Sequence, residues 1–273
     1  MKRIKYVGLY SGGKDSVVAC HVMANKVKLT DVLYAKTGVG LKENVEFVEQ
    51  YCKKMGWNLI VCEPKEGEHY EDYVRKFGFP HQPMHSSIMG FLKYHPWRKW
   101  YKEHKDENIV LVSGRRVTES KRRNKLMRKI KFSDDQQKDR EKYQEEVQKM
   151  IMKETPRKIH KGIEKTQDGL RFAAPILTWS TGDIWWYIRK HQLEISPIYK
   201  TMHMSGDCLC GSMAKKEESF LLSTFHPETA QRIQALEQLY GGKWGNNTSI
   251  TDALKQNTLD SFICTEDCKS GDI

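Results

Sequence analysis

Residues 11–16 read Ser-Gly-Gly-Lys-Asp-Ser, a run that combines backbone freedom, hydroxyl donors and one cation. Gly12 and Gly13 allow a tight turn and leave room beside the backbone for a bulky anion. If the turn opens a helix, its N–H groups converge on one point at the positive end of that helix, which suits phosphate oxygens. Ser11 and Ser16 add hydroxyl donors and Lys14 adds a charge. Asp15 repels phosphate, so it either turns the chain or holds a magnesium ion. The spacing is not GxxxxGK[ST], which excludes a Walker A loop. A Gly-Gly turn that only joins two elements is the plain alternative.

A second set of reactive residues lies near the C-terminus. Cys208-x-Cys210 and Cys264-x3-Cys268 form two close pairs in polar surroundings. Two pairs from distant segments can close one tetrahedral or cubane metal site. Free thiols, or a redox disulfide with Cys264 and Cys268 as a resolving pair, are the alternatives. Cys20, Cys52 and Cys62 sit in apolar patterns and read as packing residues. His203 and His226 could enter a metal site, but isolated histidines are more often structural.

Arg116 follows an apolar run and could grip a phosphate or sulfate bidentately, with Glu119 holding it. A surface arginine in a salt bridge is the alternative. Residues 115–131 carry nine Lys and Arg and a single acid, Glu119. They could contact nucleic-acid phosphates, or form a solvated helix. Trp97, Trp100 and Tyr101 could stack on a base, although their spacing is that of a helix packing into a core.

The elements that must position these groups follow from periodicity. Residues 4–10, 31–36, 57–62 and 108–113 read as strands. Helical patterns follow the glycine turn and cover 42–55, about 86–104 and 214–240. Strands alternating with helices predict an α/β fold with a doubly wound, mainly parallel sheet. The segment after Pro64 reads as irregular. Ser180 or Thr181 caps a helix through Ile184 and Ile188. Residues of about 131–168 are almost wholly polar and read as a charged, partly mobile insertion. The expected organisation is a nucleotide-binding domain over 1–200 and a helical, cysteine-bearing annex over 201–273.

The 273 residues suffice for a sizeable core, and 38% are hydrophobic. The net charge of +11 suits anionic partners, nucleotides or nucleic acid. The opening residues do not read as a signal peptide and no apolar run approaches about 18 residues, so the expectation is a cytoplasmic protein without a membrane span. Its thiols are then expected to be reduced.

Five segments, in order, carry a resemblance. Besides residues 11–16 they are Thr37-Gly38 with Glu43-Asn44-Val45-Glu46-Phe47, and Ser113-Gly114-Arg115-Arg116-Val117-Thr118-Glu119-Ser120. Then come Pro175-Ile176-Leu177-Thr178-Trp179 with Ile184-Trp185-Trp186-Tyr187-Ile188, and Ser196-Pro197-Ile198-Tyr199 with Gly206-Asp207-Cys208-Leu209-Cys210. Together they resemble the phosphoadenosine-phosphosulfate (PAPS) reductase family of PP-loop ATP pyrophosphatases, with an adenine nucleotide α-hydrolase-like fold. Within it the chain is most similar to the DNA-phosphorothioation sulfurtransferase-type branch.

The resemblance implies ATP and Mg²⁺ as ligands, with Lys14, Asp15 and Arg116 catalytic. Ser11, Gly12, Gly13, Ser16, Thr37, Gly38, Gly114 and Glu119 would complete the nucleotide site. For the cysteines it favours a [4Fe–4S] cluster on Cys208, Cys210, Cys264 and Cys268, with Zn²⁺ as alternative. It implies adenylation of a substrate for sulfur transfer, with DNA or tRNA as acceptor and a cysteine desulfurase or sulfur carrier as partner. It leaves open a homo-oligomer, a reductase of adenylyl or phosphoadenylyl sulfate, and a non-catalytic nucleotide-binding subunit. Departures are Lys36 in place of aspartate, no cysteine ahead of the 93–96 Lys-x-x-Pro segment, C-x-C spacing, and no E-C-G-[IL]-H tail. The missing tail counts against sulfonucleotide reduction, and the intact Ser-Gly-Gly-Lys-Asp-Ser run favours ATP cleavage.

Overall fold

The computed structural model describes residues 3–119, 159, 161–166, 169–245 and 249–252. The basic strip beyond Glu119, most of the polar 131–168 stretch, Cys264 and Cys268 lie outside the described residues.

The chain alternates β1 (Lys5–Leu9), α1 (Lys14–Val27), β2 (Asp31–Ala35), α2 (Lys42–Met55) and β3 (Asn58–Cys62). After α3 (Tyr70–Phe77) come α4 (His85–Met89), a π-helical turn (Gly90–Tyr94) and α5 (His95–Glu103). β4 (Ile109–Val112), β5 (Ile163–Lys165) and β6 (Arg171–Ala173) follow, then α6 (Thr181–His191), α7 (Tyr199–Met202), α8 (Lys216–Phe225) and α9 (Pro227–Tyr240).

The six strands form one sheet in the order β3-β2-β1-β4-β6-β5. β1 pairs in parallel with β2 and β4, and β4 with β6; β5 is antiparallel to β6. The fold is therefore the doubly wound, mainly parallel α/β sheet that the alternation predicts. β1 lies where the strand order reverses, with β2 on one side and β4 on the other. Ligands of open α/β sheets bind beyond the carboxyl ends of the strands at such a switch point. All four residues of β4 are buried, as expected of an apolar strand covered on both faces.

Two compact units interleave along the chain. The first comprises Met1–Tyr34, Phe47–Ile60 and Trp100–Ser196; the second comprises Ala35–Glu46, Val61–Lys99 and Pro197–Ile273. In the first, Val7, Val17, Val18, Cys20, Val110, Leu111, Ile176 and Ile184 are buried between sheet and helices. In the second, a separate cluster joins Tyr70, Tyr73, Ile88, Leu92, Leu209, Leu222, Ile233 and Trp244.

Two expectations need correction. The segment after Pro64 is not irregular throughout, because it contains α3, whose start is tied by the His69 N–H donating to the Asp72 carboxylate. Ile163–Lys165, placed in the polar insertion, is an edge strand. A one-sided strand of three residues shows no apolar alternation, and tertiary pairing with β6 decides it. Cys20, Cys52 and Cys62 are buried, and burial pushes the Cys52 thiol up to about 12. Trp100 is likewise a core residue, with its ring stacked on His104 at 4.3 Å. No helix among the described residues is long and apolar enough to cross a membrane.

Candidate functional site

The glycine turn joins β1 to α1. Gly12 has φ +76°, a left-handed conformation that glycine adopts at no steric cost. Gly13 is extended and precedes the first helical residue, Lys14, and no side chain caps the α1 N-terminus. The Gly12 carbonyl accepts the Ser196 N–H at 3.1 Å, which fixes one side of the turn. Inside the turn, the Ser16 hydroxyl donates to the Gly13 carbonyl at 2.9 Å and accepts the Ser11 N–H at 3.2 Å. Both serines therefore serve the shape of the turn.

The segment after β4 forms the wall behind it. A Cβ on Gly114 would lie 2.8 Å from the Asp15 carbonyl and from the Ser16 nitrogen, so backbone meets backbone there. Gly114→Ala is expected to cost about 2 kcal/mol, because neither backbone can yield without disturbing the turn. Chemical unfolding of the purified variant measures this, and an unchanged midpoint would contradict the close approach.

Arg116 is neither a surface residue nor directed at solvent. Its side chain is 2% exposed, and its Nε–H donates to Asp15 Oδ1 at 2.7 Å. The same guanidinium donates to Thr118 Oγ1, the Trp179 carbonyl and Thr181 Oγ1. Asp15 Oδ2 accepts from Lys14 Nζ at 2.7 Å. The structure thus brings Lys14, Asp15, Gly114 and Arg116 together around one turn. The support from Trp179 and Thr181 was not foreseen, since nothing in sequence spacing shows which groups a buried guanidinium will reach. The backbone of Glu119 ends a short 3₁₀ turn, Val117–Glu119.

Thr37, Gly38, Cys208 and Cys210 belong to the second unit. Thr37 is buried and its hydroxyl donates to the Asp207 carbonyl at 2.9 Å. The Leu41 and Leu209 N–H groups donate to the Gly206 and Val39 carbonyls. Segment 37–41 therefore braces the cysteine loop. The Tyr70 hydroxyl donates to the Cys210 carbonyl and the Trp244 indole N–H to the Leu209 carbonyl. The Gly38 carbonyl accepts from Arg232 at 2.7 Å.

The Cys208 and Cys210 thiols hydrogen-bond each other, and the Cys210 sulfur lies 3.2 Å from the Ser212 hydroxyl. Ser212 in turn contacts His85 Nδ1 at 2.8 Å. Beside them Lys93 is ion-paired with Asp207. The hydrogen bond from Cys208 holds Cys210 below the ordinary thiol range despite burial, helped by Ser212 and the Lys93 charge. The same bond and burial raise Cys208. Burial disfavours the charged form of Lys93, but Asp207 and the two sulfurs outweigh it and raise its pKa.

Two sulfurs on a braced loop, with a cation beside them, fit a thiophilic metal or cluster. Among the described residues no group of three or more Cys, His, Asp or Glu could hold a metal. Further ligands would have to come from elsewhere, and the expected ones, Cys264 and Cys268, lie outside the described residues. His226 is set between Glu43 and Thr201. His203 ends α7 in a left-handed conformation.

Several known proteins are similar to this chain. The uncharacterized protein MJ0973 of Methanocaldococcus jannaschii is 32% identical over 118 residues, 43% of this chain and 27% of its own. The chain thus spans little more than a quarter of the length of that curated relative. Among solved structures, phosphoadenylyl-sulfate reductase from Candida auris is 14% identical with a TM-score of 0.45, covering 73% of this chain and 78% of that one. The U34-tRNA thiolase NcsA from Methanococcus maripaludis, with its [4Fe-4S] cluster, is 13% identical with a TM-score of 0.45, covering 94% and 82%. FMN adenylyltransferase from Candida glabrata is 14% identical with a TM-score of 0.44, covering 73% and 52%. The phosphoadenosine phosphosulfate reductase domain family matches residues 5–213, which take in the sheet, the glycine turn and the cysteine loop, and the chain belongs to that family.

Proposed function

We propose that the chain is an ATP pyrophosphatase that adenylates a substrate for sulfur transfer. The observation that carries this reading is the α1 N-terminus. It opens on Gly12-Gly13 at the sheet's switch point, has no side-chain cap, and has Lys14 at its first position. The amides of an uncapped helix start suit the β- and γ-phosphates of ATP. A substrate oxygen would attack the α-phosphorus, the bond to the bridging oxygen would break, and pyrophosphate would leave. The amides and Lys14 would stabilise the charge on the departing oxygens. Mg²⁺ would enter on the polyphosphate.

A DNA or tRNA acceptor suits the net charge of +11. Sulfur would come from a cysteine desulfurase or carrier partner. Cys208 and Cys210, with Cys264 and Cys268, would hold a [4Fe–4S] cluster or, alternatively, zinc. A cluster would supply iron able to bind sulfur. Thiol chemistry of this kind belongs in a reducing, cytoplasmic setting.

The test is pyrophosphate release from ATP by the full chain, with DNA or tRNA added. Release stimulated by one of them supports the reading, and no release under any condition sinks it. The family match favours a second reading, a reductase of adenylyl or phosphoadenylyl sulfate. Sulfite release from either nucleotide, without pyrophosphate from ATP, would establish that one. Cys210→Ser is expected to lower bound iron or zinc by more than about half while leaving the fold intact, because it removes one ligand of a multidentate site. Metal analysis after anaerobic purification checks this, and unchanged metal content would exclude the loop as a ligand.

A further inference from the structure

We infer that Asp15 is a latch for Lys14 that a polyphosphate opens, with Arg116 as the fixed post on which the latch hangs. The inference rests on the reading of the glycine turn as a phosphate site and assigns Asp15 a role other than magnesium binding.

The Asp15 carboxylate is divided between two cations. Oδ2 takes Lys14 Nζ and Oδ1 takes Arg116 Nε, each at 2.7 Å. The two partners differ in freedom. Arg116 is 2% exposed and donates to three further oxygens on Thr118, Trp179 and Thr181. Moving it would strip several buried hydrogen bonds at once. Lys14 is 19% exposed, with a flexible four-carbon stem and a compact charge that can turn between acceptors.

A polyphosphate on the α1 amides would bring more negative charge within reach of Lys14 than a carboxylate already shared with Arg116. Lys14 would then leave Asp15 for the phosphate, while Arg116 goes on neutralising Asp15. The exchange costs one ion pair and gains one. Paired with Asp15, the lysine is held beside the turn, so little of its conformational freedom remains to be lost on binding. Asp15 is thus a positioning residue, and its carboxylate competes with the phosphate.

The experiment is calorimetric titration of inorganic pyrophosphate in EDTA, with wild type, Asp15→Asn, Lys14→Met and the double variant. In Asp15→Asn the amide oxygen can still accept from Arg116, but the ion pair with Lys14 is gone. Pyrophosphate is expected to bind about three- to tenfold more tightly to it, as for loss of a partly buried competing pair. Lys14→Met should bind about tenfold more weakly. In the Lys14→Met background the aspartate substitution should change affinity by less than about twofold, so the two positions are coupled.

Weaker binding by Asp15→Asn, or an equal gain in both backgrounds, overturns the latch. So does a loss confined to titrations with added Mg²⁺, which would make Asp15 a metal ligand. If neither wild type nor Asp15→Asn binds pyrophosphate, with or without Mg²⁺, the phosphate reading itself fails. Lys14→Arg gives an independent check should Asp15→Asn not fold. A forked guanidinium grips a carboxylate more firmly, so affinity should fall. A residue acting only as a phosphate ligand would bind as well or better.

Discussion

Arg116→Met is expected to lower the stability of the folded chain by about 3 kcal/mol and to abolish the proposed pyrophosphate release from ATP. The side chain is 2% exposed and carries the hydrogen bonds that join the α1 start to the segments around Thr118 and Trp179. Methionine fills much of the volume but donates nothing. Asp15 loses its buried partner, and the Trp179 carbonyl and Thr118 hydroxyl lose a shared donor. Breaking a buried pair from one side costs more than deleting both charges, because Oδ1 of the remaining carboxylate loses its buried donor and only the Lys14 pair on Oδ2 is left. Arg116→Met with Asp15→Asn should therefore recover part of the lost stability. Urea unfolding of the three variants measures it. No loss in Arg116→Met, or no recovery in the double variant, would remove the ion pair as the cause.

Glu237→Ala should be the most destabilising single change in the second unit, by about 4 kcal/mol. This α9 carboxylate is 6% exposed. Its Oε1 accepts the Trp244 and Ile250 N–H groups, and its Oε2 accepts the Ser249 hydroxyl, the Thr251 N–H and the Thr251 hydroxyl. Alanine leaves those donors facing a small cavity. Glu237→Gln should recover little, since either amide orientation aims an NH₂ group at donors. The loop it holds carries Trp244, whose indole donates to the Leu209 carbonyl between the two cysteines. Metal content should fall with stability. Thermal unfolding with metal analysis checks both, and a Glu237→Gln variant as stable as wild type would contradict the acceptor-only role.

Pro175–Trp179 illustrates how far motif reading goes. Its spacing marked it as part of a familiar segment, but not why it matters. The reason is a backbone carbonyl: Trp179 O accepts from both Arg116 and Thr118. A carbonyl has no residue type, so its role is invisible before folding. Lys93 enters the sequence reading only as part of a motif, and Ser212 and His85 not at all, for a related reason. Each is common on a surface, and only the packing of the π-helical turn and α4 in the same unit as the cysteine loop gives them meaning. The edge strand Ile163–Lys165 was missed because three residues with one bonded neighbour leave no periodic trace.

The order of helices and strands was legible because burial imposes a period on the chain. Periods of two and of 3.6 survive in sequence when long elements pack one face inward. The turn at residues 11–16 was legible because Gly12 needs a positive φ and because paired glycines ahead of a helix leave room for a bulky anion. What the tertiary structure alone decided is where the charges point. Arg116 turns inward to Asp15, Asp15 is shared with Lys14, and Thr37 braces the cysteine loop. A guanidinium or carboxylate can meet any opposite charge within several ångströms. Its partner is fixed by which backbones are brought together and how much water is excluded between them, and neither is written in the spacing of residues along one chain.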